Sequence, residues 1–513
     1  MNRHVKHFLN IFIVALILHT PLYSQKISHK ALDYYIDQAR EQWGVPGVAV
    51  GVVKDGKLVY RKGFGEREIG KGDRVDGNTL FAIASNSKAF TATAIGLLVS
   101  EGKFSWDDPV IKYLPDFQLY DPVATRKITL RDLLCHRSGL GTWSGDLTWF
   151  GSIYDQQEVI RRIRFQPPAF DFRTGYGYSN LMFVVAGAVI EKVTGQSWGE
   201  FIESRIFKPL GMERSNTTVT ILEKMENVAQ PHTRYQGELV TIPYRNVDNA
   251  PAPGAINSSV NDLARWLIMQ MGWGKYQGKT VVDSQIVAEM RKPHTLIPIS
   301  AARKKLMPST HFLAYGLGWF LTDYEGRFLV YHTGGLDGMF SFVGFIPEEN
   351  LGVVVLTNLD DHQLMRALAF HLFDAFLGID FKDWNKIYWD RHQKQLKSHK
   401  ESKTPVKGKG TSLPLSVYAG TYRSEIYGKA AIREKDGELT ITLLAHPNIT
   451  GTLTPYLNDI FLARWSDKVW NQSYVNFDVN EQGEVEQFRV KIRPDWIDPL
   501  EYVFKKEISG ENR

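Results

Sequence analysis

The sequence predicts an α/β protein of the α+β kind. One antiparallel sheet, flanked by helices and carrying a helical lobe, precedes a small all-β, barrel-like unit. Three observations predict this. Strand patterns occur in "VAVGVVKDGKLVYRKGFG" near the start and again between 314 and 358, with helical patterns dominating from about 88 to 292. A helical run, "HQLMRALAFHLFDAFLG", follows the second group of strands. Beyond about residue 412 only short alternating strands remain. Strands at both ends of a region, with helices between and after them, are accommodated by one sheet covered with helices.

Taken in order, residues 1–24 read as a signal peptide: Arg3 and Lys6 precede the apolar run "FLNIFIVALIL" at 8–18, and cleavage is expected near Ser24 or Gln25. Eleven residues at about 1.5 Å each fall short of a bilayer core of about 30 Å, so no integral membrane span is expected after cleavage. Export to a bacterial periplasm or cell surface follows, and the single cysteine, Cys135, excludes an intrachain disulfide. Residues 25–384 form the first domain. It opens with the helical pattern "KALDYYIDQAREQW", stopped at Gly44 and Pro46, and a hairpin turning at Asp55-Gly56. Its later strands are "AYGLGWFL", "RFLVYHTGG", "FSFVGFIP" and "LGVVVLTN". Residues 385–412 lack apolar periodicity and read as a basic linker. Residues 413–507 form the all-β unit, with turns at Asp436-Gly437 and Gln482-Gly483.

Composition excludes several functions. With 513 residues, 43% apolar and 23% charged, the chain is long enough for two or three domains and is ordinary for a soluble protein. The net charge of +5 is concentrated between Arg391 and Gly410, where seven Lys/Arg face one Glu, a local +6. That charge sits in a linker rather than on a folded face, so no nucleic-acid partner is expected. The 14 histidines include no His-Glu-x-x-His cluster, so neither a metal site nor a cofactor is expected.

The chemistry centres on "FAIASNSKAF". Ser85 and Lys88 lie three apart, on one face of the helix they begin. A serine hydroxyl needs a base, and lysine serves if burial lowers its pKa. Ser85 follows a strand and opens a helix, where first-turn N–H groups are free to receive an oxyanion. A capping role for Ser85 is the plain alternative. Ser-x-x-Lys recurs at Ser100 and Lys103, but there at a helix C-terminus. Two more elements follow in order: Tyr178-x-Asn180 ahead of an apolar helix, and His332-Thr333-Gly334 closing a strand, the one [Lys/His]-Thr-Gly in the chain.

This ordered trio resembles the serine β-lactamase and penicillin-binding-protein superfamily, specifically the class C β-lactamase-like serine hydrolases. "ITLRDLLCHRSGL", "IFKPLGM", "NSSVNDLARW" and "YGLGW" are similar to further landmarks of that family, and the resemblance spans about residues 30–380. The last unit, opening "YAGTY", resembles the lipocalin-like domain that follows some of these hydrolases. The resemblance implies a β-lactamase/transpeptidase-like fold with Ser85 as acylated nucleophile. Lys88 and Tyr178 would share general-base work, and Asn180 would donate to Lys88 or to the substrate amide. The N–H groups of Ser85 and Gly335 would form the oxyanion hole.

Penicillin-recognising relatives usually carry lysine at the position of His332. With an ordinary pKa of about 6.5, His332 would be mostly neutral at pH 7 and gain charge as pH falls. This suits the D-aminopeptidase-like and esterase-like branch, and efficient β-lactam hydrolysis is not expected. The expected function is therefore hydrolysis of amide or ester bonds in small molecules or peptides, D-amino-acid substrates favoured, through an acyl-enzyme. The alternatives are a penicillin-binding protein or β-lactamase acylated by β-lactams, and a non-enzymatic binding protein. Self-association is compatible with the sequence. Ser197 in "GQSWG" is read as a capping box with Glu200 rather than a nucleophile elbow, and Cys135 as a buried structural thiol. Tyr176 and Trp319 are candidates to line the cleft.

Overall fold

Helix α1 (His29–Trp43) starts where Ser28 Oγ accepts from the Ala31 N–H and stops where Gly44 adopts φ 62°. The computed structural model describes residues 28–401, 410–492 and 498–507; the signal peptide read at 1–24 lies outside them. Strand β1 (Gly47–Lys54) then turns at Asp55 (φ 51°) and Gly56 (φ 72°) into β2 (Lys57–Gly65). Two successive positive φ values suit the right-handed twist of a hairpin, which is why Asp-Gly was a readable signal.

The remaining strands of the main sheet are β3 (Thr295–Leu296), β4 (Leu313–Tyr315), β5 (Phe320–Tyr324), β6 (Arg327–Leu336), β7 (Met339–Ile346) and β8 (Leu351–Thr357). Their order is β2-β1-β8-β7-β6-β5-β4-β3, antiparallel throughout. The sheet therefore joins the two ends of the domain, with Val50 of β1 opposite Val355 of β8. Both faces are covered, so these two strands read as continuous apolar runs rather than alternating ones. Val48, Val50, Val353 and Val355 pack towards α1 and a late helix, while Ala49, Val354 and Leu356 belong to the larger core beneath the helical lobe.

Helix α2 (Ser87–Ser100) lies at the centre of that lobe, buried on every side from Ser87 to Leu98. Around it stand α3 (Asn180–Thr194) and α4 (Val260–Met271), with Phe90 stacked 3.9 Å from Trp266. Helix α5 (Leu364–Leu377) closes the opposite face.

One expectation fails in its first half. Residues assigned to a linker from 385 form a helix, α6 (Trp384–Glu401). Trp384 and Tyr388 are buried against α5, Trp384 Nε1 donates to Asp374 Oδ2 at 2.6 Å, and Trp43 Nε1 donates to Asn385 Oδ1 at 2.7 Å. Trp384, Ile387, Tyr388 and Trp389 supply the apolar contacts, and the surrounding charges masked them. Residues 402–409 of the expected linker lie outside those described.

The C-terminal unit is a closed barrel of eight antiparallel strands: β9 (Gly420–Ser424), β10 (Gly428–Lys435), β11 (Glu438–Leu443), β12 (Thr450–Leu457), β13 (Ile460–Trp465), β14 (Gln472–Val479), β15 (Val485–Val490) and β16 (Tyr502–Lys506). Pairing of β9 with β16 closes it and removes both sheet edges. Tyr418, Tyr422, Phe461, Phe477 and Phe488 fill its interior.

The barrel is seated on the first domain by buried polar contacts. Ile153 N–H donates to Ala445 O at 2.9 Å and His446 Nε2 donates to Phe150 O at 3.1 Å. Arg245, from the lobe, bridges the two: its Nε meets Asp337 Oδ2 and its Nη2 meets Asp467 Oδ2, both at 2.6 Å. Asp337 sits at the turn between β6 and β7, and Asp467 follows β13. Replacing Arg245 by methionine would leave two carboxylates without their cation. Arg245→Met should cost about 3–5 kcal/mol of stability, read as a lower denaturant midpoint. An unchanged midpoint would show that the barrel is held by other contacts.

Candidate active site

Ser85 lies on a single 3-10 turn (Ala84–Asn86) that runs directly into α2, after Phe81–Ala82 pairs with Asn257–Ser258. Ala84 is held at φ 48°, a strained conformation for a residue with a Cβ. The turn is over-determined: Ser87 Oγ donates to Ala84 O at 2.7 Å, and Asn86 Nδ2 donates to Ser341 Oγ at 2.8 Å. Ser341 Oγ in turn donates to Ile83 O at 2.8 Å. Gly334 of β6 presses on the same turn, where a Cβ would come within 2.1 Å of Ile83 O. Glycine is obligatory there because the backbones touch.

One helical turn on, Lys88 is 0% exposed. Its Nζ is 3.0 Å from Ser85 Oγ and donates to Pro253 O at 2.8 Å. The rings of Tyr178 and Phe183 lie 4.8 and 5.4 Å from it. Burial pulls the Lys88 pKa down to about 7, opposed by the charge of Asp146. Tyr178 is brought to the same place, and burial raises its pKa well above the ordinary phenol value, partly offset by a hydrogen bond with Ser85. His136, from the "CHRSGL" stretch, fixes Tyr178 from behind: its Nδ1 accepts from Ser179 N–H at 3.0 Å and its ring lies 4.2 Å from that of Tyr178.

Asn180 does not make the first of its two expected contacts: its Nδ2 donates to Asp146 Oδ2 at 2.5 Å rather than to Lys88, and the residue lines the cleft. Asp146 also accepts from Trp149 Nε1 at 3.0 Å, is buried, and has its pKa raised well above the usual carboxylate value, first by burial and then by the neighbouring Asp498. Sequence reasoning missed Asp146; its one local mark is an acidic residue set among apolar ones in "GDLTWF".

His332-Thr333-Gly334-Gly335 ends β6 beyond the point where β5 stops pairing, at Phe320 opposite Tyr331. That edge of the strand opens onto the cleft. His332 Nδ1–H donates to Thr333 O at 2.7 Å, so Nε2 accepts from Tyr315 Oη at 2.8 Å. Burial, with the Lys88 charge adding to it, lowers the His332 pKa to about 3. The expectation of an ordinary histidine pKa, with charge appearing just below pH 7, is thereby corrected. The cation near this motif is Arg366 of α5, whose Nη2 donates to Thr333 Oγ1 at 3.4 Å.

The cleft has a volume of about 440 Å³. Ser85, Tyr178, Asn180, His332 to Gly335 and Arg366 line it, with Trp143, Tyr176 and Phe320 as aromatic walls. Tyr176 lines it as anticipated, whereas Trp319 is buried against Trp266 and Phe345. Ser197 is a helix cap, its Oγ 2.8 Å from Glu200 Oε2. Cys135 is buried, with a thiol pKa pushed up to about 11.

Comparison with known proteins gives the family of the chain. Residues 32–375 match the family described as Beta-lactamase, and residues 404–506 match a domain of unknown function, DUF3471. The Unguisins hydrolase ungD of Aspergillus violaceofuscus is 30% identical over 79% of this chain and 77% of its own length. The octameric penicillin-binding protein homologue from Pyrococcus abyssi superposes with a TM-score of 0.63 at 25% identity, covering 93% of this chain and 99% of the other. The D-stereospecific amidohydrolase from Streptomyces sp. gives 0.53 at 25% identity, over 65% and 95%. With the Ser85–Lys88–Tyr178 cluster in place and a family match over most of its length, the chain belongs to the beta-lactamase family.

Proposed function

We propose that the protein is an exported serine hydrolase that cleaves amide or ester bonds through an acyl-enzyme on Ser85, with D-amino-acid peptides, amides or esters as favoured substrates. One observation carries this reading: a wholly buried lysine stands 3.0 Å from a serine hydroxyl, with its pKa drawn to about 7. At and above that pH the neutral amine takes the Ser85 proton as Oγ bonds to the substrate carbonyl carbon. The carbonyl electrons move to its oxygen, which the N–H groups of Ser85 and Gly335 receive. Collapse breaks the bond to the leaving amine or alcohol, and the proton returns to that group from Lys88 through the Tyr178 phenol. Water then attacks the acyl group by the same route and frees Ser85. Tyr178, kept protonated by burial, acts as relay and donor rather than as first base.

The names of two similar proteins support this reading: an unguisins hydrolase supports hydrolysis, and a D-stereospecific amidohydrolase supports amide substrates. The export signal read at 1–24 supports action in the periplasm or at the cell surface. A second reading, acylation by β-lactams, is favoured by Arg366, a cation beside Thr333 able to receive a substrate carboxylate.

Ser85→Ala should abolish hydrolysis of a chromogenic ester and labelling by a fluorophosphonate, with the melting temperature little changed. Lys88→Ala and Tyr178→Phe should each cost orders of magnitude, and the double variant little more than either alone. Parental kcat/KM should fall about tenfold per pH unit below pH 7, because only neutral Lys88 accepts the proton. Full activity in Ser85→Ala would overturn the assignment.

A further pair of measurements separates Arg366 from His332 as the group that selects substrate charge. His332 stays neutral across pH 5.5 to 8, so the ratio of kcat/KM for a cephalosporin to that for a neutral ester should be flat over this range. Arg366→Ala should lower that ratio roughly 10- to 150-fold, the loss of a charge-assisted hydrogen bond. A ratio that climbs as pH falls, unchanged by Arg366→Ala, would return the role to His332.

A further inference from the structure

Two buried carboxylates from different domains meet behind the catalytic lysine. Asp146 lies on the turn 145–148 of the first domain, and Asp498 lies just before β16 of the barrel; they are 3% and 0% exposed. Asp498 Oδ2 accepts from Leu147 N–H at 3.5 Å, and Gly145 N–H also points to it, so Asp498 holds the backbone on both sides of Asp146. Its Oδ1 accepts from Leu500 N–H at 3.1 Å. Among the described residues neither carboxylate has an ion-pair partner within bridging distance. The groups facing Asp146 are Lys88, Asn180, Trp149 and Asp498, and Tyr178, Tyr427 and Tyr502 also feel its charge. Those facing Asp498 are Tyr427 and Tyr502, whose rings stand 4.1 Å apart with buried hydroxyls.

We propose that Asp498 is a positioning residue for the catalytic base: from the barrel it grips the Asp146 turn against Asn180, and the two carboxylates together set the charge that faces Lys88. The inference rests on the hydrolase reading above. Two carboxylates desolvated side by side do not both ionise at neutral pH, so the pair retains a proton. Burial raises the Asp498 pKa to about 7, and Asp146 is raised further by Asp498. A protonated Asp146 withdraws the negative charge that would otherwise hold a proton on Lys88. The barrel thus supplies a condition for the lysine to work as a base, although none of its described residues lines the cleft.

The sign of the pH effect is fixed. Both groups titrate higher in the folded chain than in the unfolded one, where Asp is near 3.9. The Asp498 contribution to stability is therefore complete below about pH 4 and is lost as pH rises through about 7, and that of Asp146 has the same sign. In Asp498→Asn, Asp146 is relieved of its neighbour, ionises at lower pH and keeps Lys88 protonated longer.

The test uses the full chain, fluorophosphonate labelling of Ser85 and thermal melting, each from pH 5 to 9. Asp498→Asn should move the acid limb of labelling to higher pH and shrink the fall in melting temperature between pH 5 and 8. Asp498→Ala, which also loses the acceptor for the Leu147 N–H, should label at least tenfold more slowly at every pH, and the asparagine variant should recover most of that rate. In an Asp146→Asn background, Asp498→Asn should no longer move the acid limb. Parental profiles in Asp498→Asn, for both labelling and melting, would overturn the proposal. Should the 498 variants not fold, Asp146→Asn alone must flatten the melting profile, and failure to do so overturns it equally. A parent chain that is never labelled, yet melts with the expected pH dependence, sinks the hydrolase reading and leaves the carboxylate pair standing.

Discussion

Burial of Lys88 is the constraint on which the rest of the structure depends. An ammonium group taken out of water costs several kcal/mol unless it is paired or gives up its proton. Here it is placed between two aromatic rings, one carbonyl oxygen and the Ser85 hydroxyl, with no carboxylate in direct contact among the described residues. Giving up the proton is the cheaper course, and a neutral amine beside a serine is a base. That outcome needs α2 to be central, which in turn needs the lobe packed around it on one side and a sheet joined from both ends of the domain on the other.

The site's electrostatics extend the same logic. His332, His136 and Asp146 are all buried near Lys88, and burial drives each towards its neutral form. The interior of the catalytic centre therefore holds few net charges at neutral pH, while Arg366 stands at its margin, half-buried and charged. In the proposed reaction, neutral machinery with one peripheral cation would separate bond breaking from substrate selection: the first would be tuned by desolvation, the second by a side chain that can change without disturbing the base.

How much of this could be read from the sequence follows from distance along the chain. Ser85 and Lys88 sit on one helical face, and the hairpin at Asp55-Gly56 is fixed by its own turn chemistry, so both were legible. Tyr178 and His332 were found by order and resemblance. Asp146 and Arg366 were not found, because their meaning comes from partners 34 and 33 residues away, Asn180 and Thr333. Asp498 is 351 residues from Leu147 and has no local mark at all. The His332 pKa was misjudged because burial, not residue type, sets it. Helix α6 was missed because its four packed apolar side chains, all in its first two turns, were outnumbered by charges.

The contact between Gly334 and the Ile83 carbonyl bears on how the chain acquires activity. The nucleophile turn is braced by a strand some 250 residues further on, through Gly334 and Ser341. Such a contact pays the loop-closure entropy of nearly the whole domain before it forms, so it belongs to the late, non-local part of folding. Synthesis must run past β7 before Ala84 can be held in its strained conformation, and a nascent or partly folded chain presents an ordinary serine on an unbraced segment. On the hydrolase reading, latency is thus built into the topology: the reactive geometry is withheld until the sheet has closed.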